Sequence, residues 1–203
     1  MSVTLTTYAG LKAAIADRYP RADITGEADN FIAAAEAEFN RILRLPQMVT
    51  TNTALAASSR FTALPDGFLE MQRVQLNQGG RRRELRFIGE EAAARVDDGT
   101  GGTPRHWDVI GVQLELLPAP TAAVSLDLSY WAQISTITGG VANFLLTSHP
   151  DLYLYRSLYE AAIARGDDKR LERYRSAYAN VLTAVQRSGK RARYGRAMAV
   201  RAA

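Results

Sequence analysis

Hydrophobic positions near the N-terminus recur at the spacing of an α-helix. One apolar stripe runs from Tyr8 to Tyr19 after a capping threonine, Thr6 or Thr7, and ends before Pro20. A second helix is predicted to start at Thr25 as N-cap and to stop at Pro46, with acidic residues in its first turn. Spacings of three and four residues place its apolar positions on one face and Glu36, Glu38, Asn40 and Arg41 mostly on the other. Those apolar positions are Ala28, Phe31, Ile32, Ala35, Phe39 and Ile42.

The last third of the chain returns to helical spacing. Ser148 is the predicted N-cap of a helix with Pro150 in its first turn, and Gly166 suits the helix end. A longer helix is then expected from Asp167 or Asp168, and its apolar periodicity fades after Gly189. Residues from 187 onward are therefore predicted to form an extended tail. The two stripes comprise Leu152, Tyr155, Tyr159, Ala162 and Ile163, and then Leu171, Tyr174, Tyr178, Val181 and Val185.

Between residues 48 and 132 the apolar period changes from the helical value to two, which is typical of half-buried strands. About six short strands are predicted there, separated by glycine, proline and asparagine. Their alternating apolar positions are expected to form one buried face, and they include Leu85 and Phe87, Leu114 and Leu116, and Leu126, Leu128 and Tyr130. The pair Gly79-Gly80 lies between two of them and indicates a hairpin with a somewhat loose connection. Only residues 90–95 look helical in this region. The pattern predicts an antiparallel sheet or a small barrel.

The order helix pair, strands, helix pair predicts an α+β fold. Helical pairs at the two ends of a chain most simply pack on one another, which makes the strand region an insertion. The predicted organisation is a helical bundle domain at 1–47 and 136–186, an inserted β domain at 48–135, and a basic tail at 187–203.

The amino-acid composition excludes several kinds of functional site. The chain has no cysteine and only two histidines, His106 and His149, so thiolate zinc sites, iron–sulfur clusters and disulfides are excluded. The acid pairs at 90–91, 97–98 and 167–168 lie at helix starts or turns and are interpreted as caps. No apolar run reaches the ~20 residues that span a bilayer, and the first residues do not resemble a signal peptide. We therefore expect no catalytic residue, metal, cofactor or membrane contact, and synthesis in the cytosol.

Basic residues concentrate at the C-terminus. Residues 187–203 carry six of them and no acid, whereas the formal net charge of the whole chain is only +4. Such a segment favours phosphates or an acidic protein surface, so it is a candidate partner-binding element. A second candidate, for a tail-side partner or a neighbouring subunit, is the run Arg81, Arg82 and Arg83 after Gly79-Gly80, although a solvated loop is the simpler interpretation. The C-terminal candidates are Arg187, Lys190, Arg191, Arg193, Tyr194, Arg196, Met198 and Arg201.

Several packing and turn motifs follow one another over nearly the whole chain. They are YAGL (8–11), FIAAAE (31–36), NRILR (40–44), LPDGFLE (64–70), TPR (103–105), LELLPAP (114–120), LLT (145–147) and PDLYLY (150–155). In this order they resemble the head-to-tail adaptor proteins of tailed bacteriophages, also called connector or head-completion proteins. One departure is Gly67, because an aspartate directly before the aromatic residue would be more usual.

The resemblance implies a structural, non-enzymatic virion protein made in the bacterial host cytoplasm. Such proteins form rings, commonly of twelve copies, below the portal protein at one capsid vertex. The ring extends the DNA channel, lets DNA pass without reading its sequence, and presents a surface to the tail or nozzle protein. In several members a C-terminal extension grips the portal, and by position the segment from Arg187 is the candidate here.

Two other functions remain open from the sequence. The basic segment could make the chain a nucleic-acid-binding virion or accessory protein that contacts packaged DNA. A wall-degrading enzyme would need two carboxylates that the fold brings together, although no motif indicates such a pair.

Overall fold

The computed structural model of the chain describes residues 4–19, 22–96, 99–137 and 140–198. Within these ranges the fold is α+β, as predicted, with six α-helices and eight strands. The chain divides into two compact units: a helical unit, Met1–Gln47 with Ile134–Ala203, and a β unit, Met48–Gln133.

The elements follow one another in this order: α1 (Tyr8–Arg18), α2 (Ala22–Ile42), β1 (Val49–Ala57), β2 (Phe61–Ala63), β3 (Phe68–Gln78), β4 (Arg81–Glu84), β5 (Arg86–Phe87), α3 (Glu90–Val96), β6 (His106–Ile110), β7 (Gln113–Leu117), β8 (Val124–Ala132), α4 (Phe144–Ser148), α5 (Pro150–Arg165) and α6 (Asp168–Met198). None of the described helices is long and apolar enough to cross a membrane.

Most helix ends follow local chemistry, but α2 already begins at Ala22, so the prediction of Thr25 as its N-cap is wrong. Thr7 caps α1 by accepting a hydrogen bond from the Gly10 N–H, and Gly166 ends α5 in the left-handed conformation at φ 62°, both as predicted. The prediction of Ser148 as the cap of α5 is wrong, because Ser148 is the last residue of α4. Asn143 accepts a hydrogen bond from the Leu146 N–H and so starts a helical turn earlier than the sequence pattern indicated.

Helix α5 is the centre of the helical unit. It packs against α1, α2, α4 and α6, and α2 also packs against α1. Phe39 and Tyr153 are fully buried, and their rings meet edge to face with centroids 5.0 Å apart. The apolar stripe of α2 is therefore confirmed at Phe31, Ile32 and Phe39, although its last member, Ile42, is 38% exposed.

The polar side of α2 was predicted wrongly in part. Glu36 was expected to face solvent, but it is only 4% exposed. Its Oε1 accepts hydrogen bonds from the Ile137 N–H at 2.9 Å and from the Tyr153 hydroxyl at 3.1 Å. These partners lie more than a hundred residues away in the chain, so no local pattern could indicate them.

Two four-stranded sheets form the β unit, with strand orders β1-β8-β3-β4 and β2-β7-β6-β5. All neighbours are antiparallel except β5 and β6. The chain changes sheet after β4: the Leu85 N–H bonds to the Val74 carbonyl of the first sheet and the Arg86 N–H to the Arg105 carbonyl beside the second. Among the described strands no pairing closes a barrel, and the expected count of about six strands was too low.

The core of the β unit contains the positions that alternate in the sequence. Leu126, Leu128 and Tyr130 of β8 are buried as predicted, together with Leu114 and Leu116 of β7. Directly opposite positions in antiparallel strands share a face, so each sheet contributes every second residue to this core.

Strand β3 is paired on both sides along only part of its length. Strand β8 runs along one side from Phe68 to Asn77, but β4 pairs on the other side only with residues 75–78. The register with β8 is irregular between Phe68 and Glu70 and between Met71 and Arg73. On the β4 side, no described strand pairs with the first half of β3.

Candidate partner-binding surfaces

The basic C-terminal segment continues the longest helix. Helix α6 runs from Asp168 to Met198, so the predicted extended tail from residue 187 is wrong as far as Met198. Arginine, lysine, alanine and methionine all have high helix propensity, and the helix therefore continues where the apolar periodicity ends. Arg201 lies outside the described residues.

Gly189 marks a close contact and not a helix end. A Cβ atom at this position would lie 2.9 Å from Leu45 Cδ2 and 3.5 Å from Pro46 Cδ. Glycine inside a helix costs about 1 kcal/mol relative to alanine. Here it lets α6 approach the segment after α2, which fixes the start of the basic segment within the helical unit.

Three of the predicted basic residues lie on one face of α6. Arg187, Lys190 and Arg191 are exposed, and their spacing of three and four residues makes them neighbours on the helix surface. None of the three forms an ion pair with another residue in the part of the chain that the structure describes. Arg193, Tyr194, Arg196 and Met198 belong to the last turns of the same helix. We call the three exposed residues the basic face.

A recess of about 280 Å³ adjoins the basic face. Gln186, Gly189 and Lys190 line it from α6, and Arg44 and Leu45 line it from the segment after α2. Arg44 Nη1 donates hydrogen bonds to the Asn40 carbonyl at 3.0 Å and to the Leu43 carbonyl at 2.7 Å, and so satisfies the free carbonyl groups at the end of α2.

Two of the three arginine side chains in β4 are bonded to other residues of the β unit, which the sequence did not indicate. Gly79 and Gly80 have φ angles of 58° and 84° and make a tight two-residue connection, not a loose one. Arg82 Nε donates to Asp127 Oδ2 at 2.5 Å, and Arg83 Nη2 donates to the Pro104 carbonyl at 2.5 Å. Of the three, only the Arg81 side chain forms no ion pair or hydrogen bond with the described residues, so a single charge of this run has no internal partner there.

A buried ion network in the helical unit was not predicted. Arg156 of α5 is 6% exposed, pairs with Glu160 one turn later, and donates from Nη2 to Glu38 Oε2 at 2.7 Å. The Tyr178 hydroxyl donates to Glu38 Oε1 at 2.9 Å, so the network joins α2, α5 and α6. Burial, together with the hydrogen bond to Glu38, raises the pKa of the Tyr178 hydroxyl.

Glu36 and Asn40 of α2 hold the chain segment that follows the β unit. Asn40 Oδ1 accepts the Ile134 N–H at 2.8 Å, one turn after the Glu36 contact with Ile137. Burial raises the pKa of the Glu36 carboxyl, and the hydrogen bonds from Ile137 and Tyr153 oppose part of this shift. The carboxylate therefore has a structural role and is not a solvated surface group.

The described residues contain no group of three or more histidines, aspartates or glutamates placed to hold a metal ion. His106 lies at the start of β6, and His149 lies between α4 and α5.

Comparison with known families decides the identity of the chain. The model of a family described as SU10 adaptor protein matches residues 6–201. The chain belongs to the SU10 adaptor protein family. The resemblance to phage head-to-tail adaptors is thereby confirmed, and the adaptor is a structural component of the virion. A search of curated proteins finds no match.

The matched range of the adaptor family includes both units. It also extends through α6 and the basic face to residue 201. The basic segment is therefore part of the length that the family model describes and not an addition beyond it.

Proposed function

We propose that this adaptor is a non-enzymatic ring protein, of twelve copies, that lies below the portal protein and joins the capsid to the tail or nozzle. The ring extends the DNA channel, and DNA passes through it without sequence-specific contacts. Membership of the adaptor family supports the structural role. The contacts of α5 with α1, α2 and α6 support a helical bundle as the rigid body of each copy.

The basic face carries the proposal for portal binding. Arg187, Lys190 and Arg191 present three positive charges on one side of a helix without a described acidic partner. An acidic surface on the portal would complement them. A helix that is already formed and fixed at Gly189 also loses less conformational entropy on binding than an extended tail would.

Light scattering tests this proposal. The mass of the adaptor is measured alone and with its portal, for the wild type and for the triple variant R187A/K190A/R191A. A matched control, K169A/R173A/R175A, removes three positive charges from the first turns of the same helix. We expect the wild type and the control to join the portal in a fixed multiple and the triple variant to bind weakly. Equal attachment of all three proteins would contradict portal binding by the basic face.

Binding of packaged DNA is the second candidate, and the same face favours it. Neutralising phosphates releases counterions, so the logarithm of the binding constant falls by about 0.9 per phosphate contact for each unit of log salt on duplex DNA. A basic face bound to DNA should therefore lose affinity steeply between low and physiological salt. Binding of duplex DNA that stays the same in the R187A/K190A/R191A variant, or that varies little with salt, would exclude DNA as the ligand of this face.

A further inference from the structure

The β unit carries a groove lined by apolar side chains, with a volume of about 470 Å³. It lies where the first half of β3 has no described strand on the β4 side, and Phe68 and Met71 of β3 line it. Phe87 of the edge strand β5 and Trp107 of β6 line it from the second sheet, with ring centroids 5.0 Å apart. Phe87 is 61% exposed, so the groove presents an aromatic ring to solvent. We call this recess the β3 groove.

A separate apolar projection lies at the turn between β6 and β7. Val112 is 81% exposed, and Ile110 on the other side of Gly111 is 45% exposed. The Val112 carbonyl accepts the Leu64 N–H, which places this turn beside the end of β2. Phe61 of β2 adds a third exposed apolar side chain, at 41%. We call Phe61, Ile110 and Val112 the turn patch.

These two surfaces match in chemistry. The turn from Ile110 to Gln113 carries no charged residue, and the Arg60 guanidinium that lies 5.4 Å from the centre of the Phe61 ring is paired with Glu115. The lining of the groove includes one carboxylate, Glu70, and no cation. An acidic peptide or a nucleic acid would therefore find no positive charge in the groove. An uncharged apolar occupant loses no ion hydration on entry, and aromatic residues in a recess are typical anchors of protein interfaces.

The two surfaces lie next to each other along β6 but on opposite faces of the second sheet, because Val109 lines the groove and Ile110, the next residue, points to the other face. This difference determines the symmetry of a contact between copies. A copy that offers a projection at one place and a recess at another binds the next copy head to tail, and such heterologous contacts build rings when the rotation closes. One kind of contact then covers both exposed apolar surfaces.

We propose that the turn patch of one copy docks into the β3 groove of the next copy and makes the directional contact of the ring. This inference rests on the proposed ring, and it adds the interface through which neighbouring copies join.

Disulfide cross-linking between copies tests the contact, because the chain has no cysteine of its own. Gln72 lines the groove and Gln113 follows Val112, and both are exposed, so Q72C and Q113C leave every apolar anchor in place. The two single variants are mixed, with the portal and also alone at high protein concentration, and are mildly oxidised. The expected product is a disulfide-linked dimer from the mixture, none from either variant alone, and a ladder of multimers from the double variant.

A pair of exposed valines provides the matched control. V112D on the Q113C chain should reduce the cross-link at least about tenfold, because it places a charge in the apolar contact. V141D on the same chain should leave it unchanged, since Val141 is 77% exposed but belongs to the helical unit. N180C replaces Q72C as the control for random collisions, and thermal melting of each variant verifies its fold.

Three results would overturn the inference. Rings that assemble on the portal without a Q72C–Q113C cross-link would mean that the groove has another occupant. A double variant that stops at dimers would indicate a reciprocal two-fold contact in place of a head-to-tail one. Equal cross-linking with V112D and V141D would remove the turn patch from the interface. If the portal captures no fixed multiple of the wild type, the proposed ring itself fails, and cross-linking of the free protein decides the contact separately.

Discussion

The helical unit and the β unit differ in what each leaves on its surface. The helical unit turns charged side chains inward, where Arg156 and Glu36 are 6% and 4% exposed and are bonded to other helices or loops. The β unit also buries carboxylates, Glu115 and Asp127, each paired with an arginine, but it groups its exposed large apolar side chains at the β3 groove and the turn patch. An exposed apolar group has an unfavourable contact with water that a partner protein can remove. A buried ion pair whose hydrogen bonds are made within the unit gains nothing from such a partner. The two units therefore offer different chemistry to a partner: the helical unit offers the positive charges of the basic face, and the β unit offers apolar side chains.

The largest expected effect comes from a charge in the helical core. F39D places a carboxylate at a fully buried position against Tyr153 and should lower the free energy of unfolding by several kcal/mol, close to the whole stability of a domain. Urea denaturation measures the change. I42D, at the partly exposed end of the same stripe, is the control and should remain folded. An F39D variant that unfolds at the wild-type urea concentration would show that this core does not limit stability.

Removal of one member of the buried network should have the next largest effect. R156A leaves Glu38 and Glu160 without their shared cation, and loss of one partner of a buried pair costs about 3 kcal/mol. R175A breaks the exposed pair with Glu172 on α6 and should cost less than ~1 kcal/mol, because water screens that pair. Urea denaturation of both variants gives the difference. Equal losses would mean that burial adds nothing to the Arg156 network.

Replacement of two helical glycines by alanine should change the free energy of unfolding in opposite directions. G189A forces Leu45 to move and should lower the free energy of unfolding by about 1 kcal/mol, since overpacking costs 1–3 kcal/mol and the gain in helix propensity offsets part of it. G26A has no heavy atom within 4 Å of the added Cβ and should raise stability by up to ~1 kcal/mol. Thermal melts of the two variants check the sign. Stabilisation by G189A would show that α6 is not held at Leu45.

The smallest expected effect is a pH dependence at Glu36. Its carboxyl pKa is raised by burial above the ordinary value of 4.5, so the folded protein keeps a proton that the unfolded chain releases earlier. The free energy of unfolding of the wild type should therefore fall, relative to E36Q, as the pH rises from below 4.5 to neutrality. The glutamine keeps an acceptor oxygen for Ile137 and Tyr153 and does not titrate. Urea denaturation across this pH range measures the difference, with E91Q at an exposed position as the control, and parallel curves for wild type and E36Q would contradict it.

Local patterns predicted the elements of this fold and part of its core. The stripe predicted for α5 was mostly wrong, because Ile163 is 47% exposed while Tyr153 and Leu158, outside that stripe, are fully buried. The alternation at Leu126, Leu128 and Tyr130 identified the buried face of β8, and Gly166 identified the end of α5. These features depend on neighbouring residues in the chain, which a single sequence displays. The family resemblance was also visible in the order of the motifs, and the family model confirms it.

Features that depend on distant residues were missed. Helical spacing placed Glu36 and Glu38 on the polar face of α2, and it could not show their partners Ile137 and Arg156, which lie far along the chain. Composition identified the basic residues as a candidate site, but the pattern of apolar residues could not show that their helix continues. Alternation likewise marked Phe87 as a core position, whereas strand order puts it on an edge strand and leaves it exposed.

Because the helix continues through Gly189, the helix geometry determines the direction in which the side chains of the basic face point. Successive residues of an α-helix are rotated by about 100°, so one residue inserted between Gly189 and Lys190 would turn Lys190 and Arg191 by that angle without changing any charge. Four inserted residues, about one full turn, would bring them back to nearly their original direction and move them about 6 Å further along the axis. Recognition of this face therefore depends on the direction in which its charges point as well as on their number.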